Sequence, residues 1–176
     1  MRPYKQGTDR LCSYYVLANS IKLCGLKLTK KKVQALFDDF SEMLTDQELL
    51  SDLMLNGCGR ECFEMLIDTT NNHLLKNYRT EFRTTRIFWN ERFNGKELCR
   101  YIRNLGAVIV RIQCEKEDFD HFTVIRSIDD THIHFFDSDD LRKVPIDEVS
   151  TIDGETKYRI FIRQLYAVQL VKNECS

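Results

Sequence analysis

Hydrophobic positions along this chain recur first at a helical period and then at a strand period. Leu11, Tyr14, Tyr15, Ala18, Ile21 and Leu23 share one helical face over about 11–24, and Gly25 supplies the stop. Thr29 is placed to cap a second helix through Val33, Leu36, Phe37 and Phe40. Thr45 with Glu48 reads as a capping box for a third, through Leu49, Leu50, Leu53 and Met54, ending near Gly57. A fourth helical stretch covers about 60–78, weakened by the Asn71-Asn72 pair.

After that the period shortens. Arg86-Ile87-Phe88-Trp89 reads as a short strand, and Asn94 caps a helix of about 95–104. Ala107–Gln113 is an apolar, β-branched run that reads as a buried strand. His121–Ile128 and His132–Asp137 form a hairpin pattern around Asp129-Asp130-Thr131. A helical turn near Ile146–Val149 precedes two strand-like runs, Tyr158–Arg163 and Tyr166–Val171. Helices followed by an antiparallel sheet predict the α+β class. With no repeat, low-complexity tract or Pro/Gly-rich linker, one domain is expected over 1–176, with a helical lobe of about 1–82 and a β-rich lobe of about 83–173.

Composition changes this picture little. A chain of 176 residues, 43% hydrophobic and 30% charged, is long enough to bury a core and is ordinary for a globular protein. A net charge of −1 gives no global field to attract nucleic acid. The charge is nevertheless uneven, +7 over residues 1–36 and −9 over residues 115–155. That division can steer a charged partner, or simply attract the two halves to each other. No apolar run reaches membrane-spanning length and no signal-peptide pattern opens the chain, so no membrane association is expected. The cytoplasm is the default compartment, with leaderless secretion as an effector the alternative. In a reducing compartment the seven cysteines imply reactivity, metal binding or burial rather than a disulfide framework.

Nucleophilic cysteine chemistry needs a thiolate, a base and donors for an oxyanion. Cys12 falls in the first turn of the first predicted helix, where unpaired amides and the helix dipole favour negative sulfur, and Arg10 is close by. Cys24, Cys99 and Cys175 have no such placement. Gln6, six positions earlier, can fold its amide back over the helix start. His121 opens a strand between Asp118, Phe119, Asp120 and Phe122, and Asp137 ends the partner strand sixteen positions later. A carboxylate there fixes the imidazole tautomer and leaves the other nitrogen for Cys12.

Hairpin geometry limits that assignment. A three-residue loop of Asp129-Asp130-Thr131 pairs Ile128 with His132 and Thr123 with Asp137, which makes His121 and Asp137 diagonal neighbours on one face. A two-residue loop sends them to opposite faces. The sequence allows either.

The segment Gln6-Gly7-x4-Cys12-x2-Tyr15-x3-Asn19-Ser20-Ile21 resembles the nucleophile helix of papain-like cysteine peptidases, and is most similar to their bacterial C39-like (bacteriocin-processing-peptidase-like) branch. His121-Phe122-Thr123-Val124-Ile125, followed by Ile133-x3-Asp137-Ser138, resembles that family's histidine strand and the next strand ending in Asp or Asn. The likeness is tight over about 4–24 and 119–138, looser over 107–171, and says little of 26–106. It implies a papain-like fold, an N-terminal helical lobe packed on a C-terminal antiparallel β-sheet lobe with a cleft between. It also implies a Cys12–His121–Asp137 triad, Gln6 as oxyanion donor, a peptide or protein substrate, and no cofactor or metal. Ser13 stands where many relatives have glycine, and Ser138-Asp139-Asp140 replaces the Trp-Gly of true papains.

Each residue alone has a plainer role: a small apolar cysteine, a satisfied histidine, an aspartate in turn chemistry. Order and spacing together favour a thiol hydrolase, a cysteine peptidase or related amide hydrolase. Other readings on the same residues are a glutamine deamidase or acyltransferase effector, and a non-catalytic binding or regulatory module. Cys58-x3-Cys62 with His73 has a metal-like look without zinc-knuckle spacing. His132 and His134, Lys30-Lys31-Lys32 and Trp89 are read as surface or core residues. Neither nucleic acid nor membrane is expected as a partner, and the oligomeric state stays open.

Overall fold

The computed structural model describes residues 1–5, 11–47, 49, 53, 58–87, 92–117 and 119–173. Helix α1 (Cys12–Leu23) is central: Leu17, Ala18 and Ile21 are fully buried, and Gly25 at φ 102° turns the chain away from its end. Helix α2 (Lys30–Asp46) begins at Thr29, whose hydroxyl accepts from the Lys32 amide, and its Leu36, Phe40 and Leu44 are fully buried. The helix continues through Thr45, which donates to the Ser41 carbonyl (2.8 Å) as an interior residue. The new helix expected to start at Thr45 therefore does not start there, because the α2 ladder takes up the local hydroxyl. Glu48, Leu50, Met54 and Gly57 lie outside the described residues, while the Leu53 amide donates to the Leu49 carbonyl (3.0 Å) in helical fashion.

Helix α3 (Arg60–Tyr78) runs unbroken through Asn71-Asn72. Tertiary structure gives Asn71 a use there, since its Oδ1 accepts from the Phe82 amide (2.9 Å) and ties α3 to strand β1 (Thr80–Arg86). That strand precedes the Arg86–Trp89 run of the sequence pattern, and residues 88–90 lie outside the described ones. Its identity as a strand comes from pairing with β7 (Tyr158–Lys172). Helix α4 (Gly95–Ile102) opens with the expected Asn94 cap, completed into a capping box by Glu97.

The remaining strands are β2 (Ala107–Cys114), β3 (Phe119–Ile128), β4 (His132–Phe135), β5 (Lys143–Pro145) and β6 (Val149–Ser150). They form one sheet in the order β1-β7-β2-β3-β4-β5, antiparallel apart from β6, which pairs β7 in parallel. Alternation along β2 and β3 divides the core. Ile109, Phe122 and Val124 join the residues of α1, α2 and α3, and Val108, Val110, Ile112 and Ile125 join those of α4. Phe63 of α3 stacks on Phe122 with ring centroids 4.3 Å apart, locking the helical layer to the strand that carries His121. The described residues thus combine four helices with a seven-stranded sheet, as the α+β reading expects.

Two irregularities shape the sheet. Ile128 pairs Ile133, so the hairpin loop spans 129–132 and is one residue longer than the three-residue loop weighed from sequence. Arg126 then stands as an extra residue in β3, because Ser127 pairs His134 while Ile125 pairs Phe135. The second lies in β7, one strand where the pattern suggested two. Val110 pairs Leu165 and Ile112 pairs Ile160, so residues 161–164 bulge opposite Arg111.

Candidate active site

Cys12 is the first residue of α1, half-buried beside the helical core. No acidic side chain occupies the first turn, so nothing there opposes negative charge on the sulfur. Asn19, buried about two turns further on, accepts from the Tyr4 amide (2.6 Å) and donates to the Tyr4 carbonyl (3.2 Å). The same N-terminal segment is tied at Lys5 by an ion pair to Asp140, three residues past Asp137. Residues 4 and 5 are thereby held between α1 and the loop that follows β4. Gln6, the next residue, lies outside the described ones.

His121 and Asp137 are both buried, and His121 Nε2 stands 2.8 Å from Asp137 Oδ2. The second oxygen, Oδ1, accepts from the amides of Asp139 (2.6 Å) and Leu141 (3.2 Å), which fixes the carboxylate plane. The Cys12 thiol hydrogen-bonds the same imidazole. With Nε2 engaged by Asp137, Nδ1 is the nitrogen left for sulfur. Pairing of β4 to β3 stops near Val124, so His121 sits where that edge of β3 is open to the start of α1.

Electrostatics follow from this contact. Burial on its own would depress the imidazolium, yet hydrogen bonds and charge from Asp137 and Cys12 outweigh it and hold His121 at about 10. For Asp137 burial works against the carboxylate, but the His121 bond and charge prevail and keep it below the usual carboxylate range. The pair is thus held as imidazolium and carboxylate at neutral pH.

Two groups near the sulfur were given no part in the thiol site by the sequence. Cys58 and Cys62 hydrogen-bond to each other, and that bond together with burial pushes the Cys58 thiol strongly up, against the opposing hydrogen bond from Ser13. His73, once considered with them for metal, bonds Asp39 instead (2.6 Å). Among the described residues no three of His, Cys, Asp and Glu converge as a metal site. Arg111 of β2 is the other, held by a bidentate pair to Asp120 (2.7 and 2.6 Å) and by Gln164 Oε1 (3.1 Å). The signal for it was visible: a lone cation inside the apolar run Ala107–Gln113.

Comparison with solved structures gives the peptidase domain of Streptococcus ComA, a bi-functional ABC transporter involved in a quorum-sensing pathway. The match covers 98% of this chain and 98% of that one, with a TM-score of 0.53 and 15% sequence identity. The fold is papain-like, as the sheet and helices described above and this likeness together show. The likeness read from the Cys12 and His121 segments therefore extends over nearly the whole chain, including the 26–106 region on which those motifs were silent. At this identity the match speaks for the fold alone. No family model matches the chain, and a search of curated proteins gives no match. Among the described residues no helix is long and apolar enough to cross a membrane.

Proposed function

We propose that this chain is a thiol hydrolase that cleaves amide bonds in a peptide or protein substrate. The observation that carries this reading is the continuous contact from Cys12 through His121 to Asp137, with Asp137 on Nε2 and sulfur on the remaining nitrogen.

In this mechanism Cys12 sulfur attacks the substrate carbonyl carbon as a thiolate, its charge matched by the His121 imidazolium. The tetrahedral oxygen takes hydrogen bonds from the Cys12 backbone amide at the start of α1 and, as the sequence motif suggests, from the Gln6 side chain. His121 passes its proton to the departing amine, the C–N bond breaks, and a thioester remains on Cys12. Water then gives a proton to His121 and its oxygen to the carbonyl carbon, and the acid leaves as the thiolate re-forms. Asp137 holds the ring orientation throughout and stabilises its positive charge.

The test is hydrolysis of a quenched fluorescent peptide library by the intact chain. Cleavage that is lost in both Cys12→Ala and His121→Ala is the expected result. Cleavage that survives Cys12→Ala would overturn the reading. Release of ammonia from glutamine side chains without chain cleavage would move the same residues to deamidation.

A further inference from the structure

The bulge of β7 opposite Arg111 opens a cavity of about 540 Å³, lined by Arg60, Arg111, Arg159, Arg163, Phe161 and Gln164 among others. Its charge is unbalanced. Arg60 and Arg86 share the single carboxylate of Glu64, Arg111 has Asp120, and Arg159 has Asp153. Among the described residues Arg163 has no acidic partner, so the four guanidiniums that line the cavity face three carboxylates, one of which also serves Arg86.

Several features make this a prepared surface rather than a loose group of cations. Arg111 and Arg159 stand over the Phe161 ring at 4.8 and 4.7 Å, which orients both guanidiniums. Asp120 and Gln164 occupy three of the five N–H donors of Arg111 and fix its plane, while the other two have no partner among the described residues. Gln164 is itself buried, so the wall it supports is rigid. A planar, pre-oriented guanidinium with donors to spare matches a carboxylate in two-point geometry.

The cavity also adjoins the proposed nucleophile. Arg111 pairs with Phe122, whose ring packs on the side of the sheet that carries α1 and α3, and it interacts electrostatically with Cys12 and Cys58. Arg60 enters from the first residue of α3, two positions after Cys58.

We propose that this arginine cavity is a substrate subsite that takes a carboxylate, either an acidic side chain or a free C-terminus, near the bond presented to Cys12. The inference rests on the thiol-hydrolase reading for its meaning as a subsite. The site would select acidic over isosteric neutral peptides, since each guanidinium left facing an amide loses a charge-assisted bond.

Binding to the full-length Cys12→Ala chain tests this without turnover. The probes are octapeptide pools carrying an uncharged fluorophore, with Glu, Gln or Lys fixed at one central position, each made as C-terminal amide and as free acid. Fluorescence anisotropy should show the Glu amide pool, the Gln free-acid pool, or both binding about tenfold or more tightly than the Gln amide pool, the scale of one charge-assisted contact. Arg163→Glu should erase that preference, and Arg159→Gln should reduce it, with thermal melting confirming that both variants fold. The Glu amide and Gln free-acid arms separate the two sources of the carboxylate. Equal or undetectable binding of acidic and neutral pools would overturn the proposal, as would a preference untouched by Arg163→Glu. Charge-selective binding by a chain whose wild type hydrolyses nothing would sink the hydrolase reading and leave the carboxylate site standing.

Discussion

His121 Nε2 meets Asp137 Oδ2 at 2.8 Å only because Arg126 is an extra residue in the strand between them. A loop spanning 129–132, continued in regular register, would turn Asp137 to the other face of the hairpin. The bulge at Arg126 cancels that step, so Ile125 faces Phe135 and the Phe136 amide donates to Val124 (2.8 Å). From there onward the pairing is the one a three-residue loop would have produced.

Deleting Arg126 should therefore disconnect the pair while leaving most of the sheet intact. The expected result is a fall in the His121 pKa from about 10, followed by ring-proton NMR titration, and slower alkylation of Cys12. A ring that still titrates near its wild-type value would show that the hairpin can reach this register without the bulge.

Asp137→Asn tests the charge that holds His121 protonated. A histidine raised from 6.5 to about 10 contributes stability that is fully present below about pH 6.5 and is lost as pH rises towards 10. A depressed Asp137 contributes stability present above about pH 3.8 and lost as pH falls through its lower folded value. Both limbs report one contact. Urea denaturation across pH 3 to 10 should show a flatter profile for the variant, and kcat/KM should drop about 10²-fold, the range of a misoriented acid–base group. An unchanged pH–stability profile would contradict the pairing.

Thiol reactivity should be ordered. Burial pushes Cys24 and Cys99 each up to about 11, so at neutral pH their thiolate fraction lies about 10²-fold below that of an ordinary thiol. Iodoacetamide labelling followed by peptide mass mapping should modify Cys12 first, and His121→Ala should slow it. Labelling of Cys24 or Cys99 ahead of Cys12 would remove the basis for a nucleophile at the start of α1.

Phe63→Ala should cost roughly 3–5 kcal/mol in urea denaturation, as expected for emptying a fully buried aromatic site. Because Phe63 stacks on Phe122, next to His121, activity measured well below the melting temperature should also fall. Stability within about 1 kcal/mol of wild type would mean the site collapses without a cavity.

Much of the fold could be read from local rules. The Thr29 and Asn94 caps and the Gly25 stop stood where side-chain chemistry required them, and α1 and β2 followed their hydrophobic periods. Thr45 misled because the same hydroxyl can start a helix or bond back within one, and only the continued α2 ladder decides. Strand β1 was shifted because Thr80–Arg86 has too few apolar residues to announce itself, and pairing with β7 makes it a strand. Helices α1, α2 and α3 pack on one face of the continuous sheet and α4 on the other, an allocation that the local patterns did not carry.

The sequence by itself determined the order and spacing of Cys12, His121 and Asp137, the α+β class, and the helix that presents the sulfur. Those depend on neighbours a few residues apart: caps, periods and the position of a cysteine in a first turn. Only tertiary structure decided that His121 and Asp137 share a face, that Asn19 pins the segment before α1, and that a bulge of β7 gathers four arginines around one cavity. The shared face and the arginine cavity rest on strand register. Register is a sum over distant pairings, and one extra residue reverses its outcome.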